Sequence, residues 1–359
     1  MNTAYHLTLL AFSAAALWTL HRRPRIGVLA AIAAGMAVVG WSLARVLSAS
    51  FGAFAFLRLS ALGVFVHAPI LLAGCAWVFR RRPRFAVVLL AAAVSLTSIA
   101  VYSTRIEPRW LEVSRVEIQS AKLHRPIRVA VIADLQAEAF GAYERRALEA
   151  ALATEPDLVL LPGDYFQIGD PTRWNEVARQ FREYLRSSGF GAPMGAFAVR
   201  GDVETSGWTS LFDGTRVATV DPQPGSFTML RLPELDLTAL SPEASRSHNL
   251  ALTASSRFHI VFGHAPDFAL GEVPADLLIA GHVHGGQVRL PFLGPLITFS
   301  AVPRSWAAGV TDLGGGRTLV VSRGVGMERG HAPRLRFLCR PEIVVIDLLP
   351  APLHQEKRQ

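Results

Sequence analysis

The sequence predicts a chain in two parts, an N-terminal four-helix transmembrane region followed by an α/β domain. Three observations carry the prediction. Residues 1–103 contain four long apolar runs and no Asp or Glu. From residue 126 onward, short β-branched runs alternate with stretches of helical spacing. Five of those short runs end in an aspartate or a histidine, side chains that can hold metal ions.

Charge marks the boundary between the parts. The chain has 359 residues and a formal net charge of +8. Residues 1–103 hold nine Arg (22, 23, 25, 45, 58, 80, 81, 82 and 84) and no Lys. The remainder holds 36 − 9 = 27 Lys and Arg against 28 Asp and Glu. The basic character therefore belongs to the N-terminal third. The rest lacks the long basic run of a nucleic-acid surface, so no nucleic-acid binding is expected. Two cysteines, Cys75 and Cys339, exclude a disulfide framework and argue against a cysteine-based zinc site.

The apolar runs cover about 3–20, 26–44, 59–79 and 85–103. Each approaches the roughly 20 residues that a helix needs to cross the hydrocarbon core, where a helix satisfies its own backbone. A cleaved signal peptide would explain only the first run, which lacks the preceding Lys or Arg. Twin arginines at 81–82 resemble an export signal but lie too far inside the chain. His67 and Pro69 admit two readings, a polar site between helices or a kink beside a satisfied histidine; the kink is the simpler. HRRPR (21–25) separates runs one and two, and RRRPR (80–84) separates runs three and four. The positive-inside rule places both turns in the cytoplasm. An even number of spans then puts everything after residue 104 on the extracytoplasmic side of a membrane, expected to be the bacterial inner membrane. The lipid bilayer is thus an expected partner.

The domain plan is a transmembrane region at 1–104, a polar connector at 105–125, an α/β domain at 126–349 and a polar, disordered tail at 350–359. Within the domain, IRVAVIA (127–133) is a strand ending at Asp134. Helical spacing covers about 143–154. DLVLLPGD (157–164) is a strand ending in Gly163-Asp164, and 173–187 is an amphipathic helix. GAFAVRGD (195–202) ends in Gly201-Asp202. Prolines 222, 224, 233 and 242 make 205–255 loops and short strands. FHIVFGH (258–264) ends in His264, and DLLIAGHVH (276–284) ends in His282 and His284. GVTDLGGGRTLVVSRG (309–324) reads as a hairpin turned at 314–316, and EIVVIDL (342–348) as the last strand.

Ligands of α/β sheets gather at the carboxyl ends of strands. A single aspartate there is equally well a turn or a helix cap, and a lone histidine is often structural. Three carboxylates crowded at neighbouring strand ends, however, would repel each other unless cations sit among them. The stretch AGHVHGGQV (280–288) adds two imidazoles two residues apart, with Gly281, Gly285 and Gly286 letting the backbone bend. The joint pattern predicts a metal centre.

The order of Asp134, Gly163-Asp164, Gly201-Asp202-Val203-Glu204, Gly263-His264 and Gly281-His-Val-His-Gly-Gly-Gln287 resembles the calcineurin-like metallophosphoesterases. The nearest resemblance is to membrane-associated bacterial members ending in SRG…RPEI, here Ser322-Arg323-Gly324 and Arg340-Pro341-Glu342-Ile343. It covers about 126–349, and its most specific part is 281–287. It implies a four-layer α/β/β/α sandwich of the metallophosphoesterase type and two divalent metal ions about 3.5 Å apart. Mn, Fe or Zn would suit the ligands.

The resemblance makes Asp164 the bridging ligand, gives Asp134 and His284 to the first ion, and gives His264 and His282 to the second, with Asp202 beside them. Gln136 stands where the family usually has a histidine and could ligate through its carbonyl. Val203 stands where the family usually has another histidine, a general acid whose loss costs about 10²–10⁴ in rate. A good leaving group needs that acid less. The implied function is a membrane-anchored metal-dependent phosphoesterase with Asp164 and His284 at its catalytic heart. Its substrate would be a phosphate mono- or diester or a pyrophosphate, on a lipid or envelope molecule, attacked by metal-bound hydroxide. Arg200 and Arg323 are candidates to neutralise the developing charge. An alternative is a degenerate phosphoesterase that serves in the membrane as a metal- or phosphate-binding sensor or scaffold. A transport function of the helices themselves is disfavoured by their few polar residues.

Overall fold

The computed structural model of the chain describes residues 1–352, so the expected tail lies, from residue 353, outside the described residues. Two compact units emerge. One is Met1–Ile106 with Glu328–Leu335; the other is Glu107–Met327 with the stretch from Arg336 onward.

The first unit contains α1 (Asn2–Arg22), α2 (Ile26–Ser48), α3 (Gly52–Leu62), α4 (Ala68–Val78) and α5 (Pro83–Val101). A π-helical turn, Gly63–His67, fuses α3 and α4 into one span, Gly52–Val78. Proline 69 explains the turn, because its nitrogen cannot donate and its ring would collide with the carbonyl four residues back. The buried His67 ring meets His6 (Nε2 to Nδ1, 2.9 Å). Four spans are long and apolar enough to cross a membrane: Asn2–Arg22, Ile26–Ser48, Gly52–Val78 and Pro83–Arg109. Exposed Val38, Trp41, Val87 and Val94 leave them apolar on the outside too, as helices of a membrane protein are. The segment Glu328–Leu335 packs with these helices. Arg58 Nη1 donates to the Gly330 carbonyl (3.3 Å), and the Phe51 and His331 rings lie 4.9 Å apart.

The second unit is built on strands β1 (Glu112–Ser120), β2 (Ile127–Val131), β3 (Leu158–Leu161), β4 (Ala196–Ala198), β5 (Val217–Thr219), β6 (Phe227–Arg231) and β7 (Asp236–Leu240). It continues with β8 (His259–Phe262), β9 (Leu277–Ala280), β10 (Arg289–Leu290), β11 (Gly294–Pro295), β12 (Gly309–Gly314), β13 (Arg317–Val321) and β14 (Glu342–Pro350). Its helices are α6 (Ala142–Leu152), α7 (Pro171–Ser187) and the single turn α8 (Pro242–Ser245). One sheet runs β1-β14-β2-β3-β4-β5 and a second runs β12-β13-β9-β8-β7-β6, while β10 and β11 pair separately. Strands β2 to β5 are parallel neighbours, as are β7, β8, β9 and β13.

Alternation along each strand sorts the layers. Val129, Val131, Leu158 and Leu160 face Leu237, Ile260, Phe262 and Ile279 of the second sheet. Ala130, Val159 and Leu161 face the other way and meet Leu148, Phe181 and Leu185 of α6 and α7. Leu240, Val261 and Leu278 meet Ala244 and Phe268 on the far face of the second sheet. The result is a helix–sheet–sheet–helix sandwich of the metallophosphoesterase type, with a thin outer layer on the second sheet.

The expected connector at 105–125 proves to contain a strand. β1 pairs in parallel with β14 over nine residues, from Glu112 opposite Glu342 to Ser120 opposite Pro350. It is an edge strand whose Val116 and Ile118 face the inter-sheet core, while Arg115, Glu117 and Gln119 are exposed. One apolar side chain in two, diluted by outward charges, is what gives it the appearance of a linker.

Candidate metal centre

The two sheets bring their strand ends to one place. Asp134 follows β2, Asp164 follows β3, Asp202 follows β4, His264 follows β8, and His282 and His284 follow β9. The carboxylate or imidazole atoms of Asp134, Asp164 and His284 lie within 4.8 Å of one another, and so do those of Asp202, His264 and His282. The backbone is bent to achieve this. Asp134, Asp164, His282 and His284 all sit at positive φ (49°, 57°, 69° and 49°), a region that costs a non-glycine residue of order 1–3 kcal/mol. Gly281 is required by close approach, since a Cβ there would fall 2.6 Å from Asp134 Oδ2.

Backbone groups aim the side chains. The His282 N–H donates to both oxygens of Asp134 (3.0 and 3.1 Å). The N–H groups of Asp202 and Val203 donate to Asp164 Oδ1 (2.6 and 3.0 Å). His264 Nδ1 donates to the Pro162 carbonyl (2.9 Å), so that in the neutral ring Nε2 carries the lone pair. That Nε2 is buried without a hydrogen-bond partner, 3.5 Å from Asp164 Oδ1 and 3.6 Å from Asp202 Oδ2. His282 Nδ1 lies 3.1 Å from the same Asp202 oxygen.

These groups crowd negative charge in a dry place. Burial pushes the Asp134 carboxyl up to about 7, against the pull of His264 and with a further push from Asp164. Burial works against a charged His264 ring, but Asp164, Asp202 and Asp134 outweigh it and raise that ring to about 10. Burial likewise works upward on Asp202, but His264, His282 and Arg246 hold it well below the usual carboxylate range. The pocket calls for positive charge at the spot where the unpartnered His264 nitrogen faces two carboxylates. A proton supplies it in the metal-free chain; a divalent cation satisfies the same demand, and this donor set fits one of the Mn, Fe or Zn kind.

The other expected residues fall out as follows. Gln136 is buried; its N–H donates to the Asp164 carbonyl (2.7 Å) and its side-chain amide to Gln167 Oε1 (3.2 Å). Val203 contributes its backbone. Arg200 and Arg323, expected to meet developing charge, are instead matched with carboxylates. Arg200 lies 3.3 Å from Glu243, and Arg323 lies 3.0 Å from Glu112 and 2.5 Å from Glu342.

Three residues to which the sequence assigned no role, Glu204 among them although it lies in the third motif, also shape the centre. Glu204 accepts from the backbone of Gly201, Asp164 and Tyr165 (2.7, 2.9 and 2.7 Å), and burial and the charge of Asp164 push it up to about 8. Its place two residues after Asp202 was the available signal. Arg246 grips Asp202 Oδ2 from a stretch without periodicity. Arg336, wholly buried, donates to the carbonyls of Arg323 (2.7 Å) and Gly326 (3.0 Å, from Nε) and comes within 3.5 Å of His284 Nδ1.

Residues 127–286, which carry every one of these strand ends, match the family model of the calcineurin-like phosphoesterases. That stretch is similar to the calcineurin-like phosphoesterases. Over 276 residues the chain is 29% identical to Phosphodiesterase YaeI of Escherichia coli (strain K12), covering 72% of this chain and 96% of that protein. It is 27% identical over 282 residues to the uncharacterized metallophosphoesterase YkuE of Bacillus subtilis (strain 168), covering 72% and 93%. Among solved structures, Yfce, a phosphoesterase from E. coli, overlaps 57% of this chain and 83% of its own at 14% identity, with a TM-score of 0.29. Calcineurin-like phosphoesterases use divalent metals, and the ligand groups at these strand ends could hold such ions. Gln136 and Val203 are where this stretch departs from the motif histidines expected from the resemblance.

Proposed function

We propose that this chain is a membrane-anchored, metal-dependent phosphoesterase, with residues 1–104 as the anchor and 126–349 as the catalytic domain. Its substrate is a phosphate mono- or diester or a pyrophosphate carried on a lipid or envelope molecule. Its membrane is the bacterial inner membrane, with the catalytic domain on the extracytoplasmic side. The observation that carries the reading is the pair of three-residue groups meeting at Asp164, with the lone-pair nitrogen of His264 pointed into the space between carboxylates.

Asp134, Asp164 and His284 would hold one divalent ion; Asp202, His264 and His282, with Asp164 between, would hold the other. Ions held there would supply a bound water of lowered pKa and positive charge for the phosphoryl oxygens. The chain's own residues prepare that chemistry. The N–H groups of Asp202 and Val203 fix the Asp164 carboxylate, and the Pro162 carbonyl fixes the tautomer of His264. With valine at 203 no imidazole protonates the departing oxygen from that position, which favours substrates whose leaving group departs as a stable anion.

The first test is hydrolysis of an activated aryl phosphodiester by chelated protein resupplied with Mn, beside Asp164→Ala. Metal-dependent turnover that disappears in the variant is expected. A second reading, a degenerate domain that binds metal or phosphate as a sensor or scaffold, is favoured by one observation: Arg246 already neutralises Asp202. Under it, wild type is silent and Gln136→His combined with Val203→His restores turnover.

A further inference from the structure

The turn that carries His282 and His284 runs directly into a loop unlike the rest of the domain's surface. Strands β10 and β11 form a small hairpin, and around it Phe292, Leu293, Leu296, Ile297 and Phe299 are exposed, Phe292 completely. Phe292 and Phe299 are held at positive φ (66° and 52°), an unusual backbone for an aromatic residue. Bulky side chains kept in the open by bent backbone are the mark of an interaction surface. From Leu277 to Thr311 there is no Asp or Glu, while Arg289 and Arg304 flank the apolar tip. That is the charge signature of residues 1–103, repeated inside the phosphoesterase domain.

The occupant follows from connectivity. The fourth span runs on through helical turns to Arg109 and Glu112 begins β1, leaving only residues 110 and 111 between a membrane-crossing helix and the first sheet. Fully extended, two residues reach roughly 7 Å. A bilayer is therefore the one apolar phase permanently within reach of this domain, at a high effective concentration.

We propose that loop 291–299 is an interfacial anchor that enters the headgroup–acyl boundary of an anionic bilayer, with Arg289 and Arg304 against the lipid phosphates. The loop is built rigidly on the metal-centre turn: a Cβ on Gly286 would fall 2.4 Å from Pro295 Cβ and 2.9 Å from the Ile297 carbonyl oxygen. Insertion therefore holds the rim of the centre at headgroup depth, where a phosphate-bearing lipid would be met. That consequence rests on the phosphoesterase reading; the insertion itself does not.

The test uses the full chain in nanodiscs of phosphatidylcholine and phosphatidylglycerol. An environment-sensitive fluorophore is attached at Phe292→Cys, at Leu296→Cys and, as control, at the exposed Glu272→Cys. Labelled wild type reports any background from the buried Cys75 and Cys339. Lipids spin-labelled on the acyl chain are expected to quench the probes at 292 and 296 at least twofold and leave 272 unchanged, while aqueous iodide does the reverse. Probes at 292 and 296 that iodide quenches and spin-labelled lipid does not would overturn the proposal. Protection from iodide without quenching by lipid would also overturn it, and would assign the loop to a protein partner or a second copy. Since no outcome depends on turnover, failure here is separate from failure of the enzymatic reading.

Discussion

Asp164 is a ligand candidate by its side chain, but its orientation is set by neighbours the eye passes over. Glu204 ties together the backbone of Gly201, Asp164 and Tyr165, the two loops that supply Asp164 and Asp202. Glu204→Gln replaces one of the two acceptor oxygens on which three N–H groups converge with an NH2 donor. Loss of such an outer partner is expected to lower turnover or metal affinity by about 10- to 100-fold, read as kcat beside metal content per chain. A second prediction concerns pH. In the metal-free chain His264 is raised to about 10 from 6.5, Glu204 to about 8 from 4.5 and Asp134 to about 7 from 3.8. A raised value means the folded chain holds the proton more tightly than the unfolded one. Each such contribution is complete below the unfolded value and is lost as pH rises through the folded value. Asp202 is depressed, so its contribution is already complete above its ordinary value and does not change in this window. The melting temperature of chelated protein should therefore fall between about pH 6 and pH 9, and saturating Mn should flatten the decline; a rise over that range would contradict the charge balance drawn here. At this scale the sequence was readable where chemistry follows a strand end, as at Asp134, Asp164 and His264. It was opaque where a residue acts across the fold: Arg246 and Arg336 reach the centre from stretches with no period or motif, and Arg323 is paired with Glu112, 211 positions away in the chain.

Elements were legible in proportion to the strength of their pattern. The buried parallel strands read as unbroken apolar runs, and α7, with its apolar residues on one face, read as a helix from its spacing. The hairpin at 309–324 was visible from three consecutive glycines, and β12 and β13 turn there. β1 was hidden because an edge strand keeps charges on its open face, and β5, β6 and β7 because they are short and set among prolines. The π turn at Gly63–His67 had a visible cause in Pro69, but a kink was expected where the helix widened instead. The energetic weight of one element can be measured. Phe181 on α7 is fully buried against Phe140, Phe166 and Phe212, with ring centroids 5.3, 5.1 and 5.7 Å away. Phe181→Ala should cost about 3–5 kcal/mol of stability, read as a lower urea midpoint at unchanged slope in detergent. A cost below ~1 kcal/mol would show that α7 repacks and is not what fixes the outer face of the first sheet.

For the molecule as a whole, sidedness is the property that the arginine count addresses. The count would put the turns at 21–25 and 80–84 in the cytoplasm, and with them one end of every span. The loop between spans two and three must then lie on the opposite side. Arg58 and Phe51, at the start of span three, pack against Gly330 and His331, which come from the chain beyond the last span. That contact shows which end of span three the segment meets; the side of the membrane to which that end belongs is the prediction to test. The prediction is a pair of fusions in a bacterial host. Alkaline phosphatase joined after residue 110 should be active, because it folds only outside the cytoplasm, whereas the same enzyme joined after residue 82 should be silent. An inactive fusion at 110 beside an active one at 82 would invert the topology and place the metal centre in the cytoplasm. Equal activity at both would mean that one of the four apolar helices does not cross, and Asn2–Arg22, with the lowest mean hydropathy of the four at 1.2, is the one to test next.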